Sequence, residues 1–184
     1  MWGNSRNGWG WVSIVIHWLS ALAIFGLFGL GWWMTGLGYY DTWYHLAPWW
    51  HKSVGVLVLL ISVLRVVWRL LQPTPAAHGS ALERSAAHVG HGLIYALLFV
   101  TLLSGYLIST AEGEGIAVFD FFTAPALIEG LPHQAVLAGE VHRYAAWALV
   151  ILAVGHGLAA CKHHWIDRQD TLMRMLRSRP AGRR

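Results

Sequence analysis

Cysteine is nearly missing: Cys161 is the one cysteine among 184 residues. That excludes an internal disulfide, and any iron–sulfur or zinc centre built on cysteines within one chain. Charge is scarce too. Asp, Glu, Lys and Arg make up 12% of the chain, where soluble domains carry about 25%. No glycine-rich phosphate loop, dinucleotide-binding fingerprint or nucleophile-and-base arrangement occurs. Internal repeats, low-complexity stretches and strand-like alternation are absent. The formal charge is +4, but the basic residues fall where a membrane protein places them, so nucleic acid is not expected as a partner.

What the chain has in excess is apolar length. It is 56% hydrophobic, with 12 tryptophans. Four segments approach the ~20 residues a spanning helix needs. The first covers about 13–35, with no charged residue between Arg6 and Asp41. The second covers about 51–71, with Lys52 at one end and Arg65 and Arg69 at the other. The third and fourth cover about 88–110 and 141–163. In lipid, only helices or closed barrels satisfy the backbone. The expectation is an all-α integral membrane protein, an antiparallel bundle of four transmembrane helices forming one domain over 1–184. The first segment is too long for a signal peptide and contains His17, so it reads as retained.

The connections set the orientation. With the N-terminus in the cytoplasm, that side carries Arg6, Arg65, Arg69, Arg84, Lys162, Arg168, Arg174, Arg177, Arg179, Arg183 and Arg184. Only Lys52 and Arg143 remain opposite, beside Asp41, Glu112, Glu114, Asp120, Glu129 and Glu140. This is the positive-inside pattern, with both termini expected in the cytoplasm. Aromatic residues from Trp32 to Trp50 crowd the outer ends of the first two helices as an interfacial belt. The inner connection 72–85 contains Pro73 and Pro75. The longest connection, 111–139, is expected to fold over the outer mouth. The tail, 164–184, reads as a basic helix at the inner surface.

Histidine depth then carries the chemistry. His142 and His156 are fourteen residues apart, close to four helical turns, so both rings leave one face about 21 Å apart along the axis. Polar rings inside a membrane helix are costly and usually have a partner or a function. In an antiparallel bundle His51 and His142 share the outer level, and His17 and His156 the inner level. Neutral imidazole is an axial ligand for haem iron. Two matched levels therefore predict two bis-histidine haem sites. Gly55, Gly155 and Gly157 lie beside candidate ligands, where a flat porphyrin needs small neighbours. His88 and His91 share a face of the third helix, and either stands as an alternative to His17. Arg65 and Arg69 are candidate partners for haem propionates. No Cys-x-x-Cys-His motif for covalent haem is present.

These pieces together resemble the bacterial cytochrome b561 family. They are Ile16-His17-Trp18, His51-Lys52-Ser53-Val54-Gly55, and His88-Val89-Gly90-His91. Glu140-Val141-His142, Gly155-His156 and the ending His163-His164-Trp165-Ile166-Asp167 follow in order. The resemblance implies four helices with two haems b, one on His17 and His156, the other on His51 and His142, leaving His88 and His91 in supporting roles. It also implies electron exchange with the quinone pool. By that resemblance the expected activity is that of a superoxide:ubiquinone oxidoreductase, passing electrons from superoxide to ubiquinone in a bacterial inner membrane. The alternative is a haem relay subunit linking a separate dehydrogenase or hydrogenase to quinone, with a redox partner protein on the outer face. His163, seven residues after His156, is the expected quinone contact, with His164 as its neighbour and competitor. Lipid, quinone and superoxide are the expected partners.

Overall fold

The computed structural model describes residues 1–76 and 79–178, so Arg179, Arg183 and Arg184 of the basic tail lie outside the described residues. Four long helices dominate: α1 (Trp11–Met34), α2 (Leu46–Leu71), α3 (Ala81–Ser109) and α4 (Gln134–Trp165). All four are long and apolar enough to cross a membrane. Between α3 and α4 lies a two-stranded antiparallel hairpin, β1 (Ile116–Val118) and β2 (Phe122–Ala124). A single turn, α5 (Thr171–Arg174), follows α4.

Two of the helices, α3 and α4, begin well before the apolar run that hydropathy picks out, where side chains hold their first turns. Ser80 and Glu83 form a capping box: Ser80 N donates to Glu83 Oε2 at 2.8 Å and Glu83 N donates to Ser80 Oγ at 3.3 Å. That starts α3 at Ala81, seven residues before the apolar run. Gln134 opens α4 in the same spirit. Its Oε1 accepts from Leu131 N, and its Nε2 donates to the carbonyls of Leu107 and Ile128. At 32 residues α4 is about 48 Å long, more than the ~30 Å hydrocarbon core, so its ends carry polar turns. Pro48 sits in the first turn of α2, where its missing N–H breaks no helical bond.

Two compact units divide the chain. The first comprises 1–21, 61–94 and 151–184; the second comprises 22–60 and 95–150. Successive helices contribute opposite halves to each unit, as an up-down-up-down path requires. Large apolar side chains such as Leu22, Leu70, Ile151 and Leu158 are exposed along the helices, as expected where the surrounding medium is lipid.

In the first unit a polar network ties the N-terminal segment to neighbouring elements. Asn4 Oδ1 accepts from Gly10 N and Ser13 Oγ, and Trp68 Nε1 donates to Ser13 Oγ. The tail is not the continuous basic surface helix expected from its composition. It folds back instead: Trp18 Nε1 donates to Met175 O at 2.7 Å, and the buried Arg174 donates to Ala76 O at 2.9 Å. These long-range bonds stop the helix after one turn.

In the second unit the hairpin packs on the start of α2. The buried Ser53 donates through Oγ to Ala117 O at 3.3 Å and accepts from Phe119 N at 3.1 Å. The turn residues Phe119 and Asp120 have φ of 46° and 61°, a left-handed conformation that non-glycine residues adopt only when held. Packing of the Phe119 ring against Trp49 and Trp50 helps hold it.

Candidate functional site

The second unit brings His51 of α2 and His142 of α4 together. Their ring centroids are 6.1 Å apart, with the planes at 73°. Both rings line a cavity of about 650 Å³, within the roughly 300–1,000 Å³ of sites that take cofactor-sized molecules. Its walls include Leu27, Phe28, Leu98 and Val150, with Lys52 and Arg143 also among the lining residues.

Each ring is seated by a glycine on a neighbouring helix. A Cβ at Gly31 on α1 would stand 3.0 Å from His51 Cε1, and one at Gly105 on α3 would stand 2.9 Å from His142 Cε1. Either is tighter than ordinary contact. One turn before Gly105, the Thr101 carbonyl lies 2.8 Å from His142 Nδ1. A carbonyl only accepts, so Nδ1 carries the proton and Nε2 keeps its lone pair. Such a bond to the second ring nitrogen is what orients a metal-ligating histidine. His51 differs: its buried Nδ1 makes no hydrogen bond of good geometry among the described residues, with the Leu27 backbone facing the ring.

The first unit brings together His17 of α1, His156 of α4 and His91 of α3. His17 and His156 have centroids 6.4 Å apart at 71°, whereas His91 and His156 are 5.0 Å apart. Arg65 donates from Nη2 to His17 Nδ1 at 2.9 Å. The structure thus puts Arg65 on a ligand candidate itself. His88, one turn before His91 on α3, is exposed.

The separations can be compared with what one iron between two imidazoles requires. Metal–imidazole bonds are about 2.0–2.1 Å, and a ring nitrogen lies about 1.1 Å from its centroid, so the two centroids should be about 6.3 Å apart in a linear arrangement. The His51–His142 and His17–His156 separations fit that span; His91–His156 is too short for it. At His51 and His142 the apolar cavity and the glycine seats also suit a haem; for His17 and His156 the fit rests on the donor chemistry and the ring separation. Of the glycines singled out by sequence, Gly55 lines the cavity, while Gly155 and Gly157 are exposed with open space beside them. Gly31, Gly105 and Thr101 escaped sequence reasoning. Only the rotation of α1 and α3 against the ligand helices reveals them, although the Thr101–Gly105 spacing of one turn is readable.

At the end of α4, His163 donates Nδ1–H to Asp167 Oδ2 at 2.7 Å. His164 donates to the Gln169 carbonyl at 3.2 Å. Lys162 donates to the same Asp167 oxygen at 2.6 Å, and this bond is the main cause holding the Asp167 carboxyl below the usual carboxylate range.

Comparison with known proteins gives the chain's family. The chain is 48% identical over 175 residues to cytochrome b561 homolog 2 of Escherichia coli K12, covering 94% of this chain and 93% of that protein. It is 28% identical over 172 residues to the probable superoxide oxidase CybB of Yersinia pestis, covering 90% and 93%. Cytochrome b562 of Cereibacter sphaeroides is 31% identical over 129 residues, covering 70% and 67%. A family model for prokaryotic cytochrome b561 matches residues 8–178. With nearly the whole chain matched and four spanning helices in place, this protein belongs to the prokaryotic cytochrome b561 family, bacterial membrane proteins that hold haem b and carry electrons across the membrane.

Proposed function

We propose that this chain is a superoxide:quinone oxidoreductase holding two haems b, one on His51 and His142 and the other on His17 and His156. The observation that carries the reading is the pair of ring separations, 6.1 and 6.4 Å, at the span one iron needs. Haem b supplies reversible one-electron iron chemistry when bound.

The chain's own residues do the rest. Thr101 keeps the His142 ring in the tautomer that leaves Nε2 available. Gly31 and Gly105 admit the two rings. A neutral imidazole has one lone pair, so Arg65 and iron compete for His17. Arg65 would have to give up that ring for it to hold a haem, and Arg65 and Arg69 would then be placed to pair with haem propionates. His91 stays beside His156 in a supporting role.

Superoxide is an anion, and Lys52 and Arg143 line the cavity that holds His51 and His142. Lys52 makes no ion pair among the described residues, whereas Arg143 is paired with Glu140 at 2.7 Å. Lys52 therefore supplies the larger share of the attraction. Similarity to the probable superoxide oxidase of Yersinia pestis supports the same donor. Two superoxide ions, one quinone and two protons give two dioxygen molecules and one quinol. Ubiquinone is reduced at the end that carries His163, whose imidazole hydrogen-bonds a quinone oxygen and delivers protons. The distribution of basic residues supports an orientation with both termini in the cytoplasm and the His51 and His142 end facing outward.

One observation favours a second reading. The outward connections carry six acidic residues against Lys52 and Arg143, a field that repels anions. In that reading the chain is a haem relay between a partner dehydrogenase or hydrogenase and quinone. An anaerobic absorbance experiment separates the two. Purified oxidised protein is offered superoxide, then a ubiquinone analogue. Superoxide should reduce the haems and quinone should reoxidise them. Haems that stay oxidised in superoxide, in a protein that copurifies with a second chain, overturn the oxidase reading in favour of the relay.

A further inference from the structure

Neither histidine pair uses the cluster where α3 begins and α4 ends. His163 donates Nδ1–H to Asp167 Oδ2 at 2.7 Å, Lys162 Nζ donates to the same oxygen at 2.6 Å, and Lys162 lies 3.8 Å from Glu83 Oε1. Exposure falls along this chain of contacts. The Lys162 and Glu83 side chains are 49% and 36% exposed, those of His163 and Asp167 24% and 22%. An ionised carboxylate only accepts, so the proton of a neutral His163 is fixed on Nδ1 and its Nε2 is left to a ligand. The Lys162 hydrogen bond holds the Asp167 carboxyl below the usual carboxylate range. Quinone reduction to quinol takes two electrons and two protons. Electron transfer through the protein supplies the first pair; the second must enter at the quinone itself.

We propose that Asp167 is a positioning residue that holds His163 by its Nδ1–H, with Nε2 toward the quinone, and that Lys162 fixes the Asp167 carboxylate in that role. The proposal rests on the quinone reading of His163. Protonated His163 gives its Nε2 proton to a quinone oxygen as the electron arrives. The N–H bond breaks, the O–H bond forms, and the ring returns to its neutral form with Nδ1–H still on Asp167. Nε2 then takes its next proton from water, because Nδ1 already carries one and Lys162 contacts Asp167 rather than Nε2. The charged groups facing His163 are Asp167, Lys162 and Glu83. Glu83 is also held by its capping box, which fixes one carboxylate oxygen and leaves Oε1 toward Lys162.

The test uses purified haem-loaded protein, pre-reduced without oxygen. Its haems are reoxidised by a soluble ubiquinone analogue in one arm and by ferricyanide, which takes electrons but no protons, in the other. Asp167→Asn should slow the quinone arm about tenfold or more, below the ~10²–10⁴-fold that a lost general acid costs. The ferricyanide arm and the absorbance spectrum should not change, and Asp167→Glu should restore most of the quinone rate. A wild-type quinone rate in Asp167→Asn, with His163→Ala slow, overturns the positioning role and leaves the quinone reading standing. Wild-type rates in both variants overturn the quinone reading together with this proposal. Equal slowing of both arms in Asp167→Asn marks damage to the protein rather than to proton delivery, and also overturns it.

Discussion

At the scale of single residues, the least conspicuous side chains control the most. Gly31 and Gly105 touch no substrate, yet a methyl group at either would press on a candidate ligand ring at 3.0 or 2.9 Å. Gly105→Val should overpack that seat at a cost of roughly 1–3 kcal/mol. The expected outcome is loss or altered absorbance of the haem on His51 and His142, with the other haem intact. Gly26→Ala, whose Cβ meets open space on the same helix as Gly31, should leave both haems in place. Reduced-minus-oxidised spectra of the two variants check this. Arg65 makes a second case. Because Arg65 and iron draw on one lone pair of His17, Arg65→Gln should retain both haems while shifting the potential of one, read by redox titration. Complete loss of that haem would mean that Arg65 holds the site together. The four paired histidines were legible in the sequence, since their helical spacing fixes depth. The seats were not, because they depend on which face a neighbouring helix turns inward, and an apolar helix in lipid has no polar face to reveal that.

At the scale of elements, what hydropathy could not see was polar. The start of α3 lies in a turn containing Glu83 and Arg84, and the start of α4 at Gln134; an apolar-run criterion trims both. The Ser80 and Glu83 pattern was readable as a capping box, and Ser80→Ala should cost about 0.5–2 kcal/mol, seen as fraying of the first turn of α3 by hydrogen exchange. The connection 111–139 was expected to fold over the outer mouth, and its hairpin does pack on the start of α2 through Ser53. The two short strands escaped notice because three residues are too few to show alternation. Ser53→Ala would leave the Phe119 amide without its acceptor, a loss of about 1–3 kcal/mol where such a group is buried. Exchange at that amide should rise roughly tenfold or more, since each 1.4 kcal/mol is a factor of ten, while exchange in α4 stays unchanged. Composition alone misread the tail as a basic surface helix, because its anchors are contacts from α1 and from the connection after α2, distant in sequence.

At the scale of the whole molecule, four apolar helices, scarce charge and ordered histidines sufficed to place the chain in its family from sequence. The donor was less legible, because a local cation beside a cavity competes with acidic connections whose net effect depends on their folded positions. If Lys52 attracts superoxide, Lys52→Gln should lower the rate of haem reduction by superoxide several-fold and flatten its dependence on ionic strength. Reoxidation by quinone should not change. A variant as fast and as salt-sensitive as wild type would remove Lys52 from the entrance. Every functional step above presumes that one chain holds two haems on two histidine pairs. Haem content per chain, measured by pyridine haemochrome analysis on purified wild type and His142→Ala side by side, tests this most directly. Two b-type haems in the wild type and one in the variant are the expected values. A single haem in the wild type, or two in the variant, would contradict the pairing.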